Sequence, residues 1–244
     1  MATTTSTDNS GLLKALLPDY EKASGQTVNV IAVGTGKALR MGEAGDADVV
    51  LVHSRKAEDK FVTEGHGVNH RDVMYNDFVI VGPQQDPAGI RGEVDSANAL
   101  KRIAESNSLF ISRGDTSGTH KKELSIWKSA AIQPSGKWYR EAGQGMGKVL
   151  QISSELSAYT LTDRGTWLSF KHKTSLKILV EGDKRLFNPY GVIAVNPNKY
   201  HDINYVGAMS FIAWLTSPEA QQKIADYRIN NELLFTPMAV LSKQ

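Results

Sequence analysis

Residues 1–25 read MATTTSTDNSGLLKALLPDYEKASG. The run Thr3 to Thr7 stands directly ahead of a helical pattern over 10–24, with Leu12, Leu13, Leu16, Leu17 and Tyr20 marking its apolar face. A Ser/Thr run at a chain terminus is usually a disordered tail. Here no linker separates it from the apolar periodicity. The hydroxyls are therefore expected in an ordered turn, between a first strand holding Thr3 and Thr4 and the first helix.

The order of strand, small polar turn and helix recurs along the chain. TVNVIAVG (27–34), DADVVLVHS (46–54), DFVIVGP (77–83), SLFISRG (108–114), LKILVEG (176–182) and YGVIAVNP (190–197) are Val/Ile-rich runs ending in Gly, Ser, Pro or Asn. Such runs suit parallel strands covered on both faces. Helical patterns fall over 10–24, 36–43, 55–64, 96–106, 117–130, 147–157, 163–171 and 205–229. The last is split where Ser217 offers an N-cap and Pro218 a first helical residue. The alternation predicts an α/β fold with largely parallel sheets. MYNDFVIVGP (74–83) and FNPYGVIAVNP (187–197) share a character, an aromatic and an Asn or Asp ahead of a VIV or VIA centre that ends in Pro. They are expected to be two crossings between lobes, giving lobe one as 1–77 plus 196–244 and lobe two as 78–195.

At 244 residues the chain is long enough for one large domain or two lobes, each with a core. Hydrophobic residues make up 41% and charged residues 22%, as in ordinary globular proteins. A net charge of +2 with no polybasic block argues against nucleic acid as the main partner. No apolar run approaches membrane-spanning length. Cysteine is absent, which excludes disulfides, Cys-ligated zinc and Cys nucleophiles.

Ligands of open α/β sheets bind beyond the carboxyl ends of the strands. There this chain places Thr5-Ser6-Thr7, Gly34-Thr35-Gly36 and His53-Ser54. In the second lobe it places Arg113, Asp115, Thr116, Ser117 and Thr119, then Gly145 and Gly147, then Thr160 and Thr162. Helix starts present unpaired N–H groups and partial positive charge, glycine permits close approach, and hydroxyls add donors. With few carboxylates, these turns suit a compact tetrahedral oxyanion. A phosphate would also need an acceptor for its proton, for which Asp115 and Asp163 are the candidates.

Enzyme readings fit poorly. GTGKAL has Ala38 where a Walker loop needs Ser or Thr. GDTSG lacks the first Gly of a nucleophile elbow. His66 and His70 have metal-pair spacing, but GHGVNH reads as a loop. His53 and His120 show no evident Ser–His–Asp partnership.

ATTTSTDNSGLL, VIAVGTGKAL, GDADVVLVH, VMYNDFVIVGP, SRGDTSGTHKKEL, WYREAGQGMG, AYTLTDRGTW and LFNPYGVIAVNP, in this order, resemble the tungstate-binding periplasmic proteins of the TupA type, from Ala2 to about Pro237. The TTTS motif falls on Thr3 to Ser6 and the Arg-containing motif on Ser112 to His120, without departure in either. The resemblance implies a type II periplasmic binding protein, with two α/β lobes of mainly parallel sheet joined by two crossover strands around a ligand cleft. It implies tungstate bound as the oxyanion, with molybdate similar or weaker, and a membrane permease of an ABC importer as partner. It further implies no cofactor, no metal cation, no nucleic acid and no catalytic step. The chain is expected to be a monomer with a periplasmic or extracytoplasmic location, and no export signal precedes Ala2 in this sequence.

The expected oxyanion-binding residues are Thr5, Ser6, Thr35, Arg113, Thr116, Ser117, Gly145 and Thr160. Each has a competing structural role. Thr5, Ser6 and Thr35 compete as helix caps, and Thr116 and Ser117 compete for one cap. Arg113 competes as a partner of Asp115, and Gly145 as a residue required by its turn.

Overall fold

Short β-branched runs form the strands, and the polar turns after them begin the helices. The computed structural model describes residues 1–115 and 117–239. Thr116, one of the expected anion-binding residues, lies outside them. The strands are β1 (Ala2–Thr4), β2 (Ile31–Val33), β3 (Val49–Val52), β4 (Gly67–Gly82), β5 (Phe110–Ser112), β6 (Tyr139–Glu141), β7 (Thr160–Asp163), β8 (Lys177–Val180), β9 (Phe187–Val195), β10 (Arg228–Ile229), β11 (Glu232–Leu233) and β12 (Thr236–Pro237). The helices are α1 (Thr5–Asn9), α2 (Leu12–Ser24), α3 (Thr35–Ala44), α4 (Arg55–Thr63), α5 (Ser96–Glu105), α6 (Gly118–Ser129), α7 (Met146–Glu155), α8 (Arg164–Phe170), α9 (Tyr205–Leu215) and α10 (Pro218–Asp226).

Two compact units result. The first comprises Met1–Tyr75, Asn188–Arg228 and the chain from Leu233; the second comprises Asn76–Phe187 and Ile229–Glu232. The second crossing therefore falls at 187/188, not at the expected 195/196. The cause is a ladder: Val49 to Val52 of β3 pair antiparallel with Ala194 to Gly191, which binds β9 to the first unit. Residues 229–232 leave the expected first lobe for the second unit. Asn230 donates to the Leu168 carbonyl at 3.1 Å, and Glu232 pairs with Lys171.

In the first unit β1 lies between β2 and β3 and is parallel to both, with Thr3 opposite Ala32 and Leu51. Ala2, Val50, Val52, Ile193 and Val195 pack with Ala38, Leu39 and Phe61 from α3 and α4. Leu12, Leu13, Leu16 and Tyr20 bury the apolar face of α2, which packs against α9 and α10. β2 is shorter than the expected 27–34, and the N–H of Val28 goes to the Glu21 carboxylate, outside any ladder.

In the second unit β5 and β6 are parallel, and the end of β4 pairs antiparallel with β7 and β8. Phe78, Ile80, Leu100, Ile103, Phe110, Trp127, Tyr159 and Leu161 belong to its core. The antiparallel ladders β3–β9, β4–β7, β4–β8 and β4–β12 each involve one of the long strands β4 and β9. The short strands β1, β2, β3, β5 and β6 make the parallel pairs. β4 begins at Gly67, well before the expected 77, because residues 68–72 alternate between half-buried and exposed positions as a strand requires. His70 is therefore strand and His66 is not. They have separate partners: Tyr200 OH for His66 at 2.6 Å and Glu58 for His70 at 2.9 Å. Among the described residues no His/Cys/Asp/Glu group could hold a metal ion, and no helix is long and apolar enough to cross a membrane.

Gly82 ends β4 against the second core. A Cβ there would stand 2.5 Å from Tyr159 Cδ1 and 2.8 Å from Leu179 Cδ1. Gly82→Ala should cost about 1–3 kcal/mol by overpacking, read as a lower denaturant midpoint. An unchanged midpoint would contradict this packing.

Candidate functional site

The TTTST run divides its hydroxyls between fold and solvent. Thr3 Oγ1 is buried and donates to the Leu51 carbonyl at 2.7 Å, which ties β1 to β3. Thr4, with extended backbone, is the N-cap of α1 and accepts the Thr7 N–H at 3.2 Å. Thr7 is buried, its Oγ1 at 2.6 Å from Thr4 Oγ1. The cap role weighed for Thr5 and Ser6 therefore belongs to Thr4. Thr5 and Ser6 are exposed at the helix start. Ser6 Oγ lies 3.0 Å from Thr4 Oγ1 and 3.1 Å from His53 Nε2, while His53 Nδ1 lies 3.2 Å from Asn188 Oδ1.

Thr35 is not a cap either. It is the first residue of α3, whose N-cap is Gly34, and no side chain caps that helix. Gly34 has φ −71°, and a Cβ on it would meet nothing within 4 Å. Neither backbone nor packing requires glycine at this position.

In the second unit the Arg113 turn is tightly held. Gly114 has φ 63°, and a Cβ on it would lie 2.6 Å from Glu141 Cβ, so both conformation and space demand glycine. The Arg113 carbonyl accepts the Gly143 N–H at 3.0 Å. Arg113 Nε donates to Asp115 Oδ2 at 2.8 Å, and Asp115 Oδ1 accepts the Ser117 N–H at 3.0 Å. Burial alone would raise the Asp115 pKa, but hydrogen bonds from Ser117 and Arg113 outweigh it and hold the carboxyl below the usual range. Ser117 is the cap of α6, accepting the His120 N–H at 3.2 Å. The Nη groups of Arg113 have no hydrogen bond among the described residues. The ion pair weighed against ligand binding is thus real, and it uses only one edge of the guanidinium.

Gly145 is the exposed N-cap of α7 with φ −61°, and a Cβ there meets nothing within 4 Å. Its turn does not require it to be glycine. Thr160 stands elsewhere. YTLTD is strand, not turn, so Thr160 opens β7 opposite Val81 and is fully buried. The turn begins at Asp163, which caps α8 by accepting Thr166 N–H at 2.8 Å and Thr166 Oγ1 at 2.7 Å. Thr160 is therefore a buried strand residue and not part of a turn. Both carboxylates that could accept a phosphate proton, Asp115 and Asp163, are already engaged.

Two partnerships escaped the sequence reading. His53 has Ser6 and Asn188, the latter from 135 residues away. His120 has Ser112 at 3.2 Å, and Ser112 in turn donates to Glu123 at 2.8 Å. Glu123 is 1% exposed and also accepts from Tyr139 OH at 2.8 Å and Trp127 Nε1 at 3.2 Å. The i, i+3 spacing of His120 and Glu123 was the available signal. The Tyr139 partner, from β6, had none.

Burial raises the Glu123 pKa above the usual carboxylate value despite these donors and the nearby His120. A raised acid contributes stability that is present below its unfolded value, about 4.3, and is lost as pH rises through the folded value. Glu123→Gln cannot ionise, so its stability relative to the native chain should rise across that window and level off above it. Denaturant unfolding at a series of pH values reads this difference. A difference independent of pH would show that Glu123 does not titrate there.

A PBP superfamily domain matches residues 1–219. The chain is 52% identical over 243 residues to the tungstate-binding protein TupA of Peptoclostridium acidaminophilum, covering 98% of this chain and 85% of the other. The solved tungstate binding protein TupA from Desulfovibrio alaskensis G20 shares 47% identity at a TM-score of 0.94, with 98% of each chain covered. The structure of the tungstate ABC transporter from Geobacter sulfurreducens shares 60% identity over 93% of this chain and 97% of the other, at a TM-score of 0.79. A domain spanning most of the chain and relatives this similar over nearly all of it place the protein in the PBP superfamily and, within it, in the family of TupA tungstate-binding proteins.

Proposed function

We infer that this protein captures tungstate outside the cytoplasm and delivers it to the membrane permease of an ABC importer. The carrying observation is its near-full-length similarity to tungstate-binding TupA proteins, joined to two turns with donors free for a ligand. In this reading the candidate donors to the anion are Thr5, Ser6, Thr35, Arg113, Thr116, Ser117 and the helix start at Gly145. The chain works as a monomer, without cofactor or chemical step.

Tungstate presents four oxygens, two negative charges and no proton to donate. A dianion leaving water is costly unless it is paired and hydrogen-bonded. Hydroxyls, uncapped helix N–H groups and one guanidinium supply such partners. Engagement of Asp115 by Arg113 and Ser117, and of Asp163 by Thr166, supports a fully deprotonated anion over phosphate.

A ligand that binds only the folded state stabilises it by about 4 kcal/mol at a thousandfold excess over Kd. Micromolar tungstate should therefore raise the melting temperature strongly. Molybdate should do so similarly or less, and sulfate and phosphate little. Sulfate equalling tungstate would overturn the assignment.

A hydrogen bond to a charged group contributes about 1.5–3 kcal/mol, so Arg113→Gln should weaken tungstate binding about ten- to 150-fold. Arg113→Lys keeps the charge and loses the planar fork, so its loss should be intermediate. Were the role confined to the half-exposed Asp115 pair, the cost would be under about 1 kcal/mol of stability with affinity intact. Calorimetric titration of the three proteins at fixed salt decides between them.

A further inference from the structure

The hydroxyls of the first turn form a chain whose direction can be worked out. Thr4 Oγ1 accepts the Thr7 N–H. It also stands 2.6 Å from Thr7 Oγ1 and 3.0 Å from Ser6 Oγ. Each hydroxyl has one proton to give and two lone pairs to accept with. The buried Thr7 hydroxyl has only Thr4 as side-chain partner among the described residues. If Thr7 donates to Thr4, then Thr4 donates to Ser6 and Ser6 keeps its proton for a group outside the chain.

One neighbour can divert that proton. His53 Nε2 is 3.1 Å from Ser6 Oγ, and its ring is fixed by Asn188 at Nδ1 and by Tyr190, whose ring centroid is 4.7 Å away. With a bare Nε2, His53 takes the Ser6 proton and the chain ends on the imidazole. With an Nε2–H, His53 becomes a second donor into Ser6 Oγ, and the Ser6 proton is turned outward. Successive donors along such a chain polarise one another in the same sense.

We propose that the TTTST hydroxyls are a polarised relay ending on the bound oxyanion, and that His53, donating from Nε2 to Ser6, is the positioning residue that sets its direction. The proposal rests on the oxyanion reading above and adds to it a residue that need not touch the ligand. The imidazolium form meets the requirement with Asn188 as it stands. The neutral Nε2–H tautomer meets it once Asn188 turns its amide nitrogen toward Nδ1.

The test is a double-mutant cycle titrated with sodium tungstate, with unliganded thermal unfolding measured in parallel. Ser6→Ala should lose about ten- to 150-fold in affinity. His53→Leu should lose a comparable factor, and the double variant no more than Ser6→Ala alone, because both remove the same outward proton. His53→Gln, whose side-chain amide can donate where Nε2 did, should recover most of the His53→Leu loss. Thr7→Val, which keeps the buried shape and removes only the hydroxyl at the head of the relay, should lose less than Ser6→Ala. It also serves as the independent arm if His53→Leu unfolds. Additive losses in the cycle, an unaffected His53→Leu or an unaffected Thr7→Val would each overturn the relay. Absence of tungstate binding by the native chain would instead overturn the oxyanion reading, so the two failures are distinct.

Discussion

Two helix caps decide which hydroxyls this protein has to spare. Thr7 N–H to Thr4 Oγ1 and His120 N–H to Ser117 Oγ start α1 and α6, and each cap satisfies a donor that a helix start would otherwise leave open. Once Thr4 has this task, Thr5 and Ser6 stand exposed at the helix start. Once Ser117 has it, the Asp115 carboxylate is fixed by the Ser117 N–H and becomes the clamp for one edge of Arg113. The chemistry at both turns follows from how their first hydrogen bonds are assigned.

The two turns satisfy the same requirement by different means. At the first, the supporting side chains are a threonine bonded to a strand carbonyl, a run of hydroxyls and an imidazole. At the second, the layer is ionisable, with Glu123 buried beneath Ser112 and tied to Trp127 and Tyr139. A buried carboxyl has the wrong sign for a place beneath a turn proposed to bind an anion. Its donors come from three elements, β5, β6 and α6, and hold the strand end and the helix start to one another. It anchors the turn, and burial raises its pKa above the usual carboxylate value.

How much was legible in the sequence depended on distance along the chain. The short parallel strands and the caps at Ser117 and Ser217 are local, and composition marks them. Thr160 reads as turn because TLTD lacks the apolar density of the other strands, and its place in a strand comes from pairing with β4. The start of β4 was hidden for the same reason: NHRD reads as loop until its partners are known. His53 shows no partnership in the sequence, since its partners lie on α1 and on β9, at separations of 47 and 135 residues. No spacing rule reaches that far. The unit boundary at 187/188 was displaced by the β3–β9 ladder, again a long-range pairing.

Gly34 and Gly145 carry a consequence for how such a site can change. Both begin helices in ordinary backbone conformation, and a methyl group on either would point into open space. Folding leaves these two side chains unspecified, unlike Gly114 and Gly82, where the structure tolerates nothing larger. Positions of that kind are independent adjusters. A residue added there alters the room beside a helix start while the core and the caps stay as they are. In the oxyanion site proposed above, discrimination between anions of equal charge and nearly equal radius could then be retuned in small steps, by natural drift or by design, at little expense to the stability of the scaffold.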